Sequence, residues 1–204
     1  SMSKVGAIAR ASDDDMKLLT NTARRLGAQT QFSATQAADA MSYLGMAGWK
    51  SSEIIKGMPG LLSLAAAGGT DLARTADIVS DNLTAFGLSA EQSQKMADIY
   101  ATVITRTNTN VEMLGETMKY AAPVAKAFGT SMEETAALAG IMANSGIKAS
   151  QAGTSLRSGF LRLAGPPKMA QKAMDELGMS MNDSTAEQKE AAMAMASLGI
   201  SMSD

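Results

Sequence analysis

Residues 128–163, FGTSMEETAALAGIMANSGIKASQAGTSLRSGFLRL, decide the fold, because this one stretch holds every local device that the rest of the chain repeats singly. Ser131 followed three residues later by Glu134 is a capping-box pattern, and Leu138, Ile141 and Met142 then fall on one face at helical spacing. Gly146 ends that helix and Lys148-Ala149-Ser150 turns the chain. A second stripe of Ala152, Leu156, Phe160 and Leu163 runs to Gly165-Pro166-Pro167. Two apolar stripes and a short joint predict an antiparallel helical hairpin.

Outward from this hairpin the same punctuation recurs, and no strand pattern interrupts it. Ser12 and the carboxylates Asp13 to Asp15 suit a helix N-terminus, where the helix dipole favours negative charge; a metal site is the lesser reading of the acidic run. Met16, Leu19, Ala23 and Leu26 give that helix its stripe before Gly27. Ser33 with Gln36 opens the next, along Ala37, Met41 and Leu44. A third, capped by Ser51 or Ser52, is expected to be interrupted around Gly57-Met58-Pro59-Gly60. Gly68-Gly69 breaks the chain, and Leu72, Ala76, Val79, Leu83 and Phe86 form the cleanest amphipathic stripe. Ser89 with Gln92 starts a helix along Met96, Ile99, Tyr100 and Val103. Another follows through Val111, Leu114, Met118, Ala121 and Ala125, with a kink or break expected at Pro123. After the central hairpin, helices are expected from about residue 167 to 177 and, capped by Ser184 with Glu187, to about residue 198.

The sequence therefore predicts an all-α protein, a compact multi-helix bundle of about nine or ten short amphipathic helices built from antiparallel hairpins. Residues 1–204 read as a single helical piece of a longer chain, with residues 12–165 as the main bundle and 166–204 as a looser C-terminal helical pair. An internal echo is visible: 86–92, FGLSAEQ, recurs as 128–134, FGTSMEE, and 33–52 aligns with 131–150, matching Gly48 to Gly146 and Lys50 to Lys148. Shared helix punctuation explains it most simply; duplication of a hairpin is the alternative.

Composition narrows the chemistry. The hydrophobic content of 46% suffices for a sizeable core, yet aromatics are only 4% while methionines number 17, so Ala, Leu and Met must do the packing. With no Cys and no His, the chain offers no disulfide, thiol nucleophile, Cys/His zinc site or His-assisted triad. A formal net charge of −2 gives no bulk attraction to nucleic acid. No apolar run reaches the length of a membrane span.

Three motifs invite chemistry and lead elsewhere. Ser145-Gly146-Ile147-Lys148 fits a Ser-x-x-Lys pattern, but here the serine closes a helix instead of opening one. Gly68-Gly69-Thr70 lacks the lysine of a phosphate-binding loop and follows a helix, so it reads as a turn and cap. Asn82-Leu83-Thr84 is a formal glycosylation sequon placed mid-helix. Between Glu134 and Asp175 there is no acidic residue, while Lys148, Arg157, Arg162, Lys168 and Lys172 accumulate; this patch, 148–172, lacks the aromatics that base stacking needs and reads as a solvated face. No catalytic, cofactor-binding or metal-binding residue is assigned.

The order of blocks is similar to the core region of tape-measure proteins of long-tailed phages and prophages. It is carried by QFSATQAADAM at 31–41, AGW at 47–49, LTAFGL at 83–88, MKYAAPVA at 118–125 and above all NSGIKASQAGTSLR at 144–157, followed by Arg162-Leu163 and Pro166-Pro167. The resemblance covers roughly residues 20–180. It implies a structural, non-enzymatic virion protein that acts in tail assembly and sets tail length, lying inside the tail tube and, during assembly, in the host cytoplasm. It implies the tail tube protein and tail assembly chaperones as partners, with self-association also open. A cell-wall lytic module, or a nucleic-acid contact through 148–172, is the alternative. A fully helical rod of this length would span on the order of 300 Å, against a radius of gyration of about 17 Å for a compact domain. The many glycines and four prolines favour the compact form for the isolated segment.

Overall fold

Five of the helices begin where the sequence supplies a side-chain acceptor for an orphan amide group. The computed structural model describes residues 2–9 and 11–165, and within them the nine helices are α1 (Met2–Ala9), α2 (Asp13–Gln29), α3 (Ala34–Met46), α4 (Ser51–Gly68), α5 (Leu72–Phe86), α6 (Ser93–Arg106), α7 (Val111–Ala127), α8 (Met132–Asn144) and α9 (Ala149–Ala164). The Ser12 and Ser33 hydroxyls accept from the amides of Asp15 and Gln36 at 3.2 Å, and Ser131 does the same for Glu134. Asp71 accepts from Arg74 at 2.9 Å and Asn110 from Met113 at 2.8 Å. These starts are the ones expected from the residues. The expected helices at 167–177 and 184–198 lie outside the described residues.

The helices are arranged in two rows. Every second helix packs on the next: α1 on α3, α3 on α5, α5 on α7 and α7 on α9 in one row, and α2, α4, α6 and α8 in succession in the other. The interfaces of α7 with α9, α3 with α5 and α4 with α6 exceed any between consecutive helices, so the hairpins stack side by side as in a helical solenoid. One core runs between the rows, with Leu19, Met41, Leu44, Ile54, Met58, Leu61, Leu64, Leu72, Leu83, Met96 and Leu114 fully buried.

The stack has a period. Helices α3, α5, α7 and α9 are capped at 33, 71, 110 and 148, steps of 38, 39 and 38 residues. The other row starts after Ser12, Lys50, Ser89 and Ser131, steps of 38, 39 and 42, when the short 3-10 turn Ala90–Gln92 is counted with α6. The 86–92 and 128–134 echo is in register with this period, since both stretches carry the chain from the odd row to the even row. The 33–52 and 131–150 echo is not: it sets α3, in one row, against α8, in the other. What those two stretches share is a joint, in which Gly48 and Gly146 take left-handed φ values of +87° and +86°. The following amides, of Trp49 and Ile147, bond back to the carbonyls of Leu44 and Met142.

Several local expectations are corrected. Lys50, not Ser51 or Ser52, occupies the cap of α4, where its amide donates to Glu53 Oε2 at 2.7 Å. Helix α4 runs unbroken through Gly57-Met58-Pro59-Gly60, and α7 runs unbroken through Pro123. Helix α2 passes Gly27 and ends at Gln29; Gly27 lies against the start of α3, where a Cβ would lie 2.4 Å from the Ala34 nitrogen. Apart from Met132, helix α8 buries small residues and not its expected stripe of Leu138, Ile141 and Met142. Thr135, Ala136, Ala139, Gly140 and Ala143 face the core, and Leu138 and Ile141 lie outside it. On α9, Ala152 and Phe160 are buried as expected, while Leu163 is exposed.

Candidate functional site

The C-terminal end of the described stack carries exposed apolar side chains. The turn between α7 and α8 brings Phe128 against Phe160 of α9, ring centroids 5.5 Å apart and planes tilted by 39°. Together with Ala137, Leu138 and Ile141 these rings line an open groove of about 530 Å³, bordered by Gly129, Thr130 and Glu134. Ile141 is 63% exposed and Leu138 38%. Methionines contribute little here: Met41, Met58, Met96, Met118 and Met132 are buried, while Met46 and Met113 are exposed on other helices. The groove is thus lined by Leu, Ile, Phe and Ala, and of the ten methionines among the described residues five are buried.

Charge surrounds this end without converging on it. Lys95 of α6 and Glu133 of α8 pair across the even row, and that hydrogen bond holds the Glu133 carboxyl below its ordinary value. Glu134 is also lowered, by the Ser131 amide and hydroxyl that it accepts from. On α5, partial burial and then Asp77 raise the Asp81 carboxyl.

The expected basic patch divides. Arg162 borders a polar cleft on α9 with Thr154, Ser155, Ser158 and Gly159, whereas Arg157 is exposed outside it and Lys148 is half-buried at the α9 cap. Lys168 and Lys172 lie outside the described residues. The Ser145 and Lys148 pair sits in the α8 to α9 turn: Ser145 caps the C-terminus of α8, its hydroxyl donating to the Ile141 carbonyl at 3.4 Å, and Lys148 precedes α9. A serine so placed does not present its lysine one helical turn on. Asp13, Asp14 and Asp15 occupy the first turn of α2, and among the described residues no group of three or more carboxylates is placed to hold a metal ion. No helix of the described residues is long and apolar enough to cross a membrane.

One polar cluster has no signal in the sequence. Asn82, the sequon residue, is buried, and its side-chain amide donates to the Tyr100 hydroxyl at 2.7 Å and, more weakly, to the Gly115 carbonyl at 3.4 Å. It ties α5, α6 and α7 together across both rows. Burial raises the Tyr100 phenol far above its ordinary value, outweighing the Asn82 bond, so the hydroxyl stays neutral. Tyr100→Phe should cost about 1–2 kcal/mol by leaving the Asn82 amide with the long contact alone. Adding Asn82→Leu in the same chain should recover part of that loss. Urea unfolding checks it, and an unchanged midpoint for Tyr100→Phe contradicts it.

Comparison with known proteins places this architecture. A family model described as phage-related minor tail protein matches residues 20–204. The chain is 47% identical over 182 residues to the tape measure protein of Pneumococcus phage Dp-1, an alignment covering 89% of this chain and 16% of that protein. It is 34% identical over 170 residues to the probable tape measure protein of Escherichia phage P2, covering 83% of this chain and 21% of that protein. No solved structure matches the chain significantly. The chain therefore spans about a fifth or less of the length of these relatives, and it belongs to the phage-related minor tail protein family.

Proposed function

We propose that this chain is a folded contact module of a tail tape-measure protein, acting in tail assembly and tail-length determination through protein surfaces and without catalysis. The observation that carries the reading is the pair of relatives named as tape measure proteins, each aligned over more than four-fifths of the chain. The fold adds a physical constraint. Drawing α2 to α9 out into one continuous helix would expose the shared core and place Gly48, Gly69, Gly87, Gly129 and Gly146 inside that helix, at about 1 kcal/mol each. The segment therefore contributes contacts more readily than length, and the measured span of the ruler falls to other parts of the parent chain. The tail tube protein and tail assembly chaperones are the partners proposed for its apolar face, in the host cytoplasm during assembly and inside the tube of the finished tail.

The test is deletion of residues 128–163 from the parent gene in the phage. Tail-less particles or tails of aberrant length are expected by electron microscopy. Infectious particles with tails of normal length and number would overturn the assignment.

A further inference from the structure

Helix α8 is attached to the stack by small residues. After Met132 in its first turn it buries Thr135, Ala136, Ala139, Gly140 and Ala143, none larger than threonine. Helix α4, in the same row, buries Ile54, Met58, Leu61, Leu62 and Leu64. Stabilisation by burial scales with the apolar area removed from water, so the inner face of α8 contributes far less than that of α4. The Thr135 hydroxyl adds no tie between helices, since it donates to the Ser131 carbonyl of its own cap at 2.8 Å.

Among the described residues two polar contacts join α8 to other elements, one at each end. Lys95 of α6 pairs with Glu133, a weak tie because both side chains are about half-exposed, and the Asn108 amide in the α6 to α7 link donates to Asn144 Oδ1 at 2.8 Å. The joints on either side are glycines in the left-handed region, Gly129 at φ +82° and Gly146 at φ +86°, and a Cβ at either would meet nothing within 4 Å. Glycine crosses to negative φ at little steric cost, so both joints can swing. Helices α7 and α9 touch each other without α8: a Cβ on Gly153 would lie 2.6 Å from the Thr117 carbonyl oxygen, and the Thr117 hydroxyl donates to the Ala149 carbonyl at 3.0 Å.

We propose that α8 is a strap that opens as one unit, swinging on Gly129 and Gly146 and releasing the Lys95 to Glu133 and Asn108 to Asn144 contacts while α7 and α9 stay packed. Helix α4 is the internal control, because it too is bounded by left-handed glycines with open space around them, Gly48 and Gly69, and differs in what it buries. Opening takes the groove apart, since Glu134, Ala137, Leu138 and Ile141 line it from α8 whereas Phe128 and Phe160 lie outside that helix. A protein seated in the groove therefore holds the strap shut. That last step rests on the contact reading proposed above; the opening itself does not.

Native-state hydrogen exchange of the full 1–204 chain tests the opening with no partner present, so it can fail while the phage deletion still supports the tail role. The amides of Ala136, Ala139, Gly140 and Ala143 are expected to exchange at least ~100-fold faster than those of Ile54, Met58, Leu61 and Leu64. Glu133→Gln combined with Asn144→Ala should raise the α8 rates a further ~10-fold and leave α4 and α9 unchanged, with helix content by circular dichroism retained. Equal rates in α8 and α4 of the unaltered chain sink the proposal whatever the variant does. A single common rate for α8 and α9 sinks it too, by making the whole hairpin the moving unit. So does a double variant that leaves α8 unchanged or speeds every helix alike.

Discussion

Gly153→Ala is expected to destabilise the protein by about 2 kcal/mol while Gly159→Ala, six residues along the same helix, stabilises it by about 1 kcal/mol. Alanine is worth roughly 1 kcal/mol over glycine in a helix interior, and at Gly159 nothing lies within 4 Å of a new Cβ, so that gain is kept. At Gly153 the same methyl would meet Thr117 O at 2.6 Å and Tyr120 Cβ at 2.9 Å. Two of the three nearest atoms are backbone of α7, which no rotamer change can move aside. The α7 and α9 axes must then separate along the largest helix interface of the stack, loosening the bond from the Thr117 hydroxyl to the Ala149 carbonyl at 3.0 Å. Opposite shifts in thermal midpoint, about 4–8 °C down and 2–4 °C up, are the signature. A rise for both variants would show that the rows are not held at this approach.

The helix boundaries were legible because caps are local. Ser33 with Gln36 and Ser131 with Glu134 announce their helices within four residues, and the structure uses both. The stripe from Leu72 to Phe86 was equally plain, since its large apolar residues are the ones the core takes. Helix α8 shows where that logic stops. Ranking residues by size selects Leu138 and Ile141 as its inner face, yet close helix packing favours small side chains, and Ala136, Ala139 and Gly140 go inside. The repeat was hidden for a related reason. Its caps are Ser12, Lys50, Ser89 and Ser131 in one row and Ser33, Asp71, Asn110 and Lys148 in the other, so the period is kept in backbone geometry while residue identity drifts. The contact between Asn82 and Tyr100 joins two helices, and no sequence window short enough to show periodicity contains both in one element. Family likeness pointed to a structural tail protein from the residue blocks alone; which face is uncovered needed the rows.

Pro59→Ala should stabilise the protein by about 2 kcal/mol, the second large effect expected. A proline inside a helix removes one hydrogen bond and crowds the carbonyl four residues earlier, at a cost of about 3 kcal/mol, although it also stiffens the unfolded chain by up to ~1 kcal/mol. Gly57-Met58-Pro59-Gly60 consequently looks like a break in sequence, and the expectation fails because each residue has a separate place in the packing. Met58 is fully buried, Gly57 admits the Trp49 ring, where a Cβ would lie 2.6 Å from Cζ3, and Gly60 admits Gln94. Pro59 alone faces solvent. Burial of Ile54, Met58, Leu61 and Leu64, at roughly 1.5–3 kcal/mol for each large side chain, outweighs the proline penalty and keeps α4 continuous. Alanine at the exposed position restores the missing amide donor and touches none of these contacts. Thermal unfolding should rise by about 4–8 °C, whereas Gly57→Ala, two residues from the same proline, should lower it by displacing Trp49. A fall on Pro59→Ala would mean that the ring holds a bend on which the α4 and α6 contact depends.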